Sequence, residues 1–263
     1  MRRFAIKFSI KTLLLVVASL AIAIGWSAPM WRARIREQRI LTRIGRVGTV
    51  KGWGRYGRDH RLPYSLTLAP NLTMPRSSDL IALQNINRLK LVGRQANDDW
   101  LSRLKTEHVK QLRFLDLSCT SITDSGLGRL PQIPNLKSLD LSSSSVSNVG
   151  MEMCKHMPNL ESLFLDDTSI DDVGIEAIVE SLPDLRTLSI NGTKVTDNGL
   201  DTLSKLRFLG TVTAYNTAVT AEGAERLKSH FKEANVNIRI DHGAWLLRCL
   251  MVKRCLEWMR FDI

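Results

Sequence analysis

Between Leu112 and Ala224 apolar residues return in fixed columns. Leu112, Leu115, Leu117, Ile122 and Leu127 recur as Leu136, Leu139, Leu141, Val146 and Met151, then as Leu160, Leu163, Leu165, Ile170 and Ile175. Leu185, Leu188, Ile190, Val195 and Leu200 make a fourth copy, and Leu209, Val212, Ala214, Val219 and Ala224 a looser fifth. Successive copies are offset by 24, 24, 25 and 24 residues. Such self-similarity marks stacked repeats, because one short unit cannot bury its own apolar face.

Each copy divides into the same parts. The L-x-x-L-x-L segment ends in strict alternation and predicts a short strand with one buried face. A polar turn follows, carrying Thr120, Ser144, Thr168, Thr193 or Thr217, whose short side chain can hydrogen-bond the turn backbone. Thr123-Asp124, Ser147-Asn148, Asp171-Asp172 and Thr196-Asp197 then stand where a helix N-cap belongs. Apolar residues at helical spacing, such as Ile175, Ile178 and Leu182, predict a helix, and Pro134, Pro158 and Pro183 turn the chain toward the next strand.

The combined pattern L-x-x-L-x-L-x-x-T-x-I-T-D-x-G-L resembles the leucine-rich repeat family, on the strength of five copies in phase. The resemblance implies an α/β fold: a right-handed solenoid with parallel strands on a concave face and helices on a convex face. Where that family often has Asn, this chain has Thr or Ser throughout.

Outside the clean copies the pattern weakens. Ile86, Leu89 and Leu91 fit a degenerate strand, with Ala96, Asn97-Asp98, Trp100 and Leu101 at the later turn and helix positions; Leu66 and Leu68 suggest a strand before it. A short strand within Val47–Tyr56 is expected to cap the first repeat. Val236, Ile238 and Ile240 read as the last strand, and Trp245, Cys249, Val252, Leu256 and Met259 as the stripe of an amphipathic tail helix, either a cap or a membrane- or partner-binding element.

Charge changes the picture at the N-terminus. The 263-residue chain carries a net charge of +11, yet residues 1–60 hold 13 Lys or Arg against only Glu37 and Asp59, and the rest sums to zero. Arg2, Arg3, Lys7 and Lys11 precede an uncharged apolar run from Thr12 to Ala28, about the length that crosses a bilayer. Ala21-Ile22-Ala23 could be a signal-peptidase site, but the run continues past it to Trp26, which favours a retained signal-anchor helix. Basic residues on both sides of the run give opposing orientation signals, with the repeats expected outside the cytoplasmic membrane. The opening R-F-A-I-K-F-S-I-K-T-L-L-L is similar to the N-terminal anchors of leucine-rich-repeat proteins of planctomycete-type bacteria, over that segment alone. The expected organisation is an anchor over 1–29, a basic juxtamembrane helix and leading cap over 30–61, repeats over 62–241 with clean copies in 112–235, and a terminal helix over 242–263.

Signals for chemistry are sparse. Gly52-Trp53-Gly54-Arg55-Tyr56-Gly57 spells G-x-G-x-x-G, but no helix start follows and no βαβ context surrounds it. Cys119, Cys154, Cys249 and Cys255 form no C-x-x-C, the five histidines are scattered, and no hydrolase, zincin or P-loop motif exists. No enzyme, cofactor or metal site is therefore expected, and the clean repeats, with 12 basic against 18 acidic residues over 112–241, argue against nucleic acid.

What remains is surface. In leucine-rich repeats, binding commonly uses the outward positions between the strand leucines, which here include Phe114, Asp116, Asp140, Ser162, Phe164, Asp166, Ser189, Thr213 and Tyr215. Aromatics among small polar residues suit an anchor role, and Asp116, Asp140 and Asp166 are read as an acidic column beside them. The expected partner is a protein, by charge a basic segment. The alternative reading is a structural, envelope-organising protein that meets anionic membrane through its basic flanking helices.

Overall fold

The computed structural model describes residues 48–52, 64–68, 86–91, 93, 96–102, 104–231 and 237–240. The chain divides into two compact units, Met1–Arg43 and Ile44–Ile263, and every described residue belongs to the second. The anchor, the juxtamembrane helix and the tail helix expected from the sequence lie outside the described residues. Among the described residues no helix is long and apolar enough to cross a membrane.

The second unit is organised on one sheet in sequence order. Its strands are β1 (Gly48–Gly52), β2 (Tyr64–Leu68), β3 (Ile86–Leu91), β4 (Phe114–Asp116), β5 (Ser138–Asp140), β6 (Ser162–Phe164), β7 (Thr187–Ser189), β8 (Thr211–Thr213) and β9 (Asn237–Arg239). From β2 to β9 all pairs are parallel. β1 instead pairs antiparallel with β2, so the expected cap strand is present within Val47–Tyr56 and departs from the parallel pattern.

The repeat columns become spatial neighbours. Leu89, Leu115, Leu139, Leu163, Leu188, Val212 and Ile238 lie side by side on successive strands, all buried. Each fully buried leucine contributes about 2 kcal/mol of transfer free energy, and none of it is available to a lone coil.

Short helices cross the back of each coil: α1 (Asp98–Leu101), α2 (Thr106–Val109), α3 (Asp124–Gly128), α4 (Asn148–Met151), α5 (Asp172–Ser181), α6 (Asp197–Leu203) and α7 (Ala221–His230). They are uneven. α4 tightens into a 3-10 turn over Glu152–His156, whereas α5 runs ten residues before Pro183 ends it. Cys154 packs in the buried helix column with Leu130, Ile178 and Leu203, as its spacing predicts.

The turn after each strand is closed by the Thr/Ser column. Thr120, Ser144, Thr168, Thr193 and Thr217 each donate a hydroxyl hydrogen bond to the carbonyl three residues back, at 2.6 Å in the first four and 2.9 Å in the last. The residue before each of them is left-handed: Cys119, Ser143, Asp167, Gly192 and Asn216 have φ between 52° and 67°. The fourth copy uses Gly, which adopts this region without strain, the third and fifth use Asp and Asn, which tolerate it, and the first two use Cys119 and Ser143.

A second polar ladder joins the coils on the helix side. Asp98 accepts the backbone N–H and hydroxyl of Thr123 at 2.9 and 2.6 Å. Asp124 does the same for Ser147, Asp172 for Thr196 and Asp197 for Thr220. Sequence reading assigns these residues to capping their own helices. Thr123, Asp171, Thr196 and Thr220 do so, but Ser147 makes no cap bond to its own helix; its hydroxyl goes to Asp124.

One rung is reversed in composition. Asn148 replaces the acceptor Asp and Asp171 replaces the Thr, so Asn148 Nδ2 donates to Asp171 Oδ1 at 2.7 Å while Asp171 N–H donates to Asn148 Oδ1 at 3.1 Å. Two carboxylates there would have no shared proton donor and like charge. The repeated glycine is explained by the same ladder: a Cβ on Gly174 would lie 2.5 Å from Asn148 Oδ1, and one on Gly199 2.5 Å from Asp172 Oδ1.

Asn148→Asp should therefore lower unfolding stability by about 1 kcal/mol, the cost of losing a part-buried donor and facing two carboxylates. Adding Asp171→Thr should recover most of the loss by recreating the Asp–Thr rung. Thermal or urea unfolding of the three chains checks this, and equal stability of the single and double variants would remove the ladder's energetic role.

Candidate functional site

Alternation along each three-residue strand buries the central leucine and turns its neighbours to the opposite face. Register then arranges those neighbours in rows. The first row runs Arg88, Phe114, Ser138, Ser162, Thr187, Thr211 and Asn237; the second runs Lys90, Asp116, Asp140, Phe164, Ser189, Thr213 and Arg239. Two residues beyond the second row, Ser118, Ser142, Asp166, Asn191 and Tyr215 form a third.

These rows correct the expected acidic column. Asp116 and Asp140 are register partners, but the position beside Asp140 is Phe164, and Asp166 belongs to the third row. Grouping by charge overlooked the two-residue offset. The three aromatics are likewise spread: Phe114 is in the first row, Phe164 in the second and Tyr215 in the third, on separate strands or strand ends. Phe114 and Phe164 are two strands apart, roughly 10 Å.

The β3–β5 part of the face is ionic. The Arg88 guanidinium lies 4.4 Å from the Phe114 ring centroid, so that aromatic carries a cationic cover. Lys90 pairs with Asp116, which also accepts the Ser118 N–H at 3.1 Å and hydroxyl at 2.6 Å. Asp140 accepts the Ser142 N–H at 2.9 Å. Burial pushes the Asp140 carboxyl above its ordinary range; the Ser142 hydrogen bonds oppose that shift, the Asp116 charge adds to it, and Lys90 opposes it. Arg88 and Lys90 escaped the sequence reading, although they stand one repeat before Phe114 and Asp116; the degenerate spacing of β3 hid them.

The β7–β8 part is uncharged and largely internalised. Ser189 and Asn191 are only 5% and 6% exposed. Asp166 Oδ1 accepts from Ser189 Oγ, from Asn191 N–H at 3.0 Å and from Asn191 Nδ2 at 2.7 Å. Ser189 Oγ lies 2.7 Å from Thr213 Oγ1, and Asn191 Oδ1 accepts the Tyr215 N–H at 2.8 Å. Ser189, expected from the sequence on the binding face, is buried, and its hydroxyl links Asp166 to Thr213. Phe164, half-buried, marks the border between the ionic and hydroxyl parts, and Ser162 and Tyr215 are also half-buried.

Among the described residues no group of three or more His, Cys, Asp or Glu is placed to hold a metal ion. Cys154 is buried and its thiol is pushed up to about 12 by desolvation, which removes thiolate reactivity near neutral pH. Cys249 and Cys255 lie outside the described residues.

The leucine rich repeat family model matches residues 110–170 and 134–195, which include β4 to β7. This stretch is of leucine-rich-repeat type, in agreement with the parallel sheet and its helices. Among solved structures, the crystal structure of an internalin from Listeria monocytogenes is 15% identical with a TM-score of 0.45, covering 67% of this chain and 47% of that one. The chain thus spans about half the length of that structure. No curated protein matches the sequence.

Because the folded Asp140 carboxyl holds its proton to higher pH than the unfolded chain, its ionisation opposes folding. Stability falls as pH rises from the ordinary value of 3.8 through the raised one, and the penalty is complete above it. Asp140→Asn keeps the acceptor for Ser142 without the charge. It should raise the thermal midpoint at pH 7 and leave it unchanged at pH 3; an equal change at both would locate the effect in packing.

Proposed function

We propose that this protein is a non-catalytic binding module of leucine-rich-repeat type that takes a protein partner on its strand face. The observation that carries the reading is the chemical grading of that face. The leucine, glycine and Thr/Ser columns stay nearly constant from coil to coil, while the outward strand positions change from Arg88, Lys90, Asp116 and Asp140 through Phe164 to Thr211 and Thr213. A scaffold needs the constant columns, and a ligand reads the variable ones.

The partner segment is basic and carries an apolar residue. Lys90 already neutralises Asp116, which leaves Asp140 to meet a cation, with Phe164 next to it in the same row for the apolar contact. Deep ordering of the Asp166–Ser189–Asn191 network keeps the adjoining surface rigid, so little entropy is lost there on association.

The module acts tethered to a membrane through residues 12–28, with the repeats extracytoplasmic. Support for the tether is the uncharged run behind Arg2, Arg3, Lys7 and Lys11. The charge of residues 1–60 also supports the envelope-organising alternative, in which basic flanks hold anionic lipid.

Crosslinking and pull-down from source membranes tests the binding face. Phe164→Ala should reduce partner recovery by a factor corresponding to about 2 kcal/mol, and Asp140→Lys should abolish it, with Glu222→Lys as a helix-side control at full recovery. Undiminished recovery by both face variants, with unchanged melting, would move the contact elsewhere.

A further inference from the structure

The repeats are charge-segregated across their width. Each coil runs strand, turn, helix, loop and back to strand, so strand ends share one edge with helix starts, and helix ends share the other with strand starts. The segments 116–126, 140–150, 164–174, 189–199 and 213–223, each ending on the repeat glycine, form the first edge and hold nine acidic residues against one basic, Lys194. The complementary segments 127–139, 151–163, 175–188, 200–212 and 224–231 hold eight basic against seven acidic, so nearly all the basic residues of these coils lie on this side.

Stacking keeps these edges apart. Lys137 N–H donates to the Arg113 carbonyl, Glu161 to that of Lys137, Arg186 to that of Glu161 and Gly210 to that of Arg186, at 2.8–2.9 Å, so the strand-start junctions line up coil on coil. On the opposite edge the Asp ladder does the same. The segregation has a local cause, since carboxylates cap helix N-termini and cations favour the other end. Its consequence is a domain with one acidic edge and an opposite rim, close to neutral in sum, on which the basic residues gather.

The rim has a cationic group at each end. Lys110 and Arg113 precede β4, and Lys205 and Arg207 precede β8; all four are exposed, and none has an ion-pair partner among the described residues. Phe208, 48% exposed, stands beside Arg207, with the Arg186 guanidinium 5.5 Å from its ring centroid. The two groups are four strands apart, roughly 19 Å. Between them Lys137 is engaged by Glu161 at 2.7 Å, Lys155 and Arg186 add positive charge, and Glu152, Glu180 and Asp184 add negative charge that outweighs it.

We propose that this strand-start rim, through Lys110, Arg113, Lys205, Arg207 and Phe208, rests on an anionic lipid surface and turns the acidic edge away from it. Separated cationic groups with one exposed aromatic suit a fluid array of headgroups, which can gather under each group and leave Glu180 and Asp184 unpaired. A nucleic-acid backbone, with fixed phosphate spacing, would be repelled at the middle of the rim. A second copy offering its acidic edge is less suited, because Asp98, Asp124, Asp172 and Asp197 already accept two hydrogen bonds each from the next coil. The aromatic belongs to the same reading, since a ring among cations lodges at the boundary between headgroups and acyl chains. The inference does not depend on the strand-face reading.

The test is hydrogen–deuterium exchange of the whole chain mixed with vesicles of phosphatidylcholine alone or with phosphatidylserine added. Peptides covering 105–113 and 203–210 should exchange several-fold more slowly on the anionic vesicles only, and high salt should reverse the effect. Lys205→Glu with Arg207→Glu leaves residues 1–60 intact; it should remove protection at 203–210 without reducing vesicle retention or melting temperature, and Phe208→Ser should weaken it. Equal exchange on both vesicles, or protection that survives the charge reversal, overturns the proposal. So does protection without lipid that extends to 116–126 and 189–201, the signature of self-association, or protection by added nucleic acid in place of lipid.

Discussion

A single coil of this protein has no interior of its own. Its strand is three residues long, its helix often four or five, and its leucines have nothing to pack against until another coil is laid beside it. Every other feature follows from this dependence on neighbours. Register must be kept, because a slip of one residue would turn Leu139 or Leu163 from the core to the outer face. Two polar devices enforce it: the hydroxyl of the Thr/Ser column closes each turn, and the carboxylate or amide at the start of one helix receives the N-cap of the next.

The second device is informative because its chemistry is conserved within the chain while its residues are not. Four rungs pair Asp with Thr or Ser, and the fifth pairs Asn148 with Asp171. What is held constant is one donor-bearing partner per acceptor, not a residue name. The close approach of these groups also fixes the glycine of each repeat, since any side chain there would occupy the space that the neighbouring carboxylate or amide uses. The motif ends at Ala221, which stands at the acceptor position of the last long helix and carries no acceptor.

Stacking also converts sequence position into surface. Residues equivalent in each coil become rows, so the strand face grades from ionic to hydroxyl-bearing, one edge is acidic and the basic residues gather on the other. A net charge assigned to the whole repeat region averages over that segregation and conceals it. The same stacking withdraws Ser189 and Asn191 from solvent, where a polar residue at an outward position serves the fold before it can serve a ligand.

The sequence alone determined the repeat, its phase and the buried columns, because those depend on a period that a linear string displays. Leu115, Leu139, Leu163 and Leu188 had to be neighbours once the offset of two dozen residues was read. It also indicated the outlying strands through Leu66, Leu89 and Ile238. Tertiary structure alone decided which outward residues share a row, that Asp166 is parted from Asp116 and Asp140, that Arg88 covers Phe114, and that Asp124 serves the next coil's cap. Those relations join residues two dozen positions apart through side-chain donors and acceptors, whose pairing has no period and becomes fixed only when the coils are in contact.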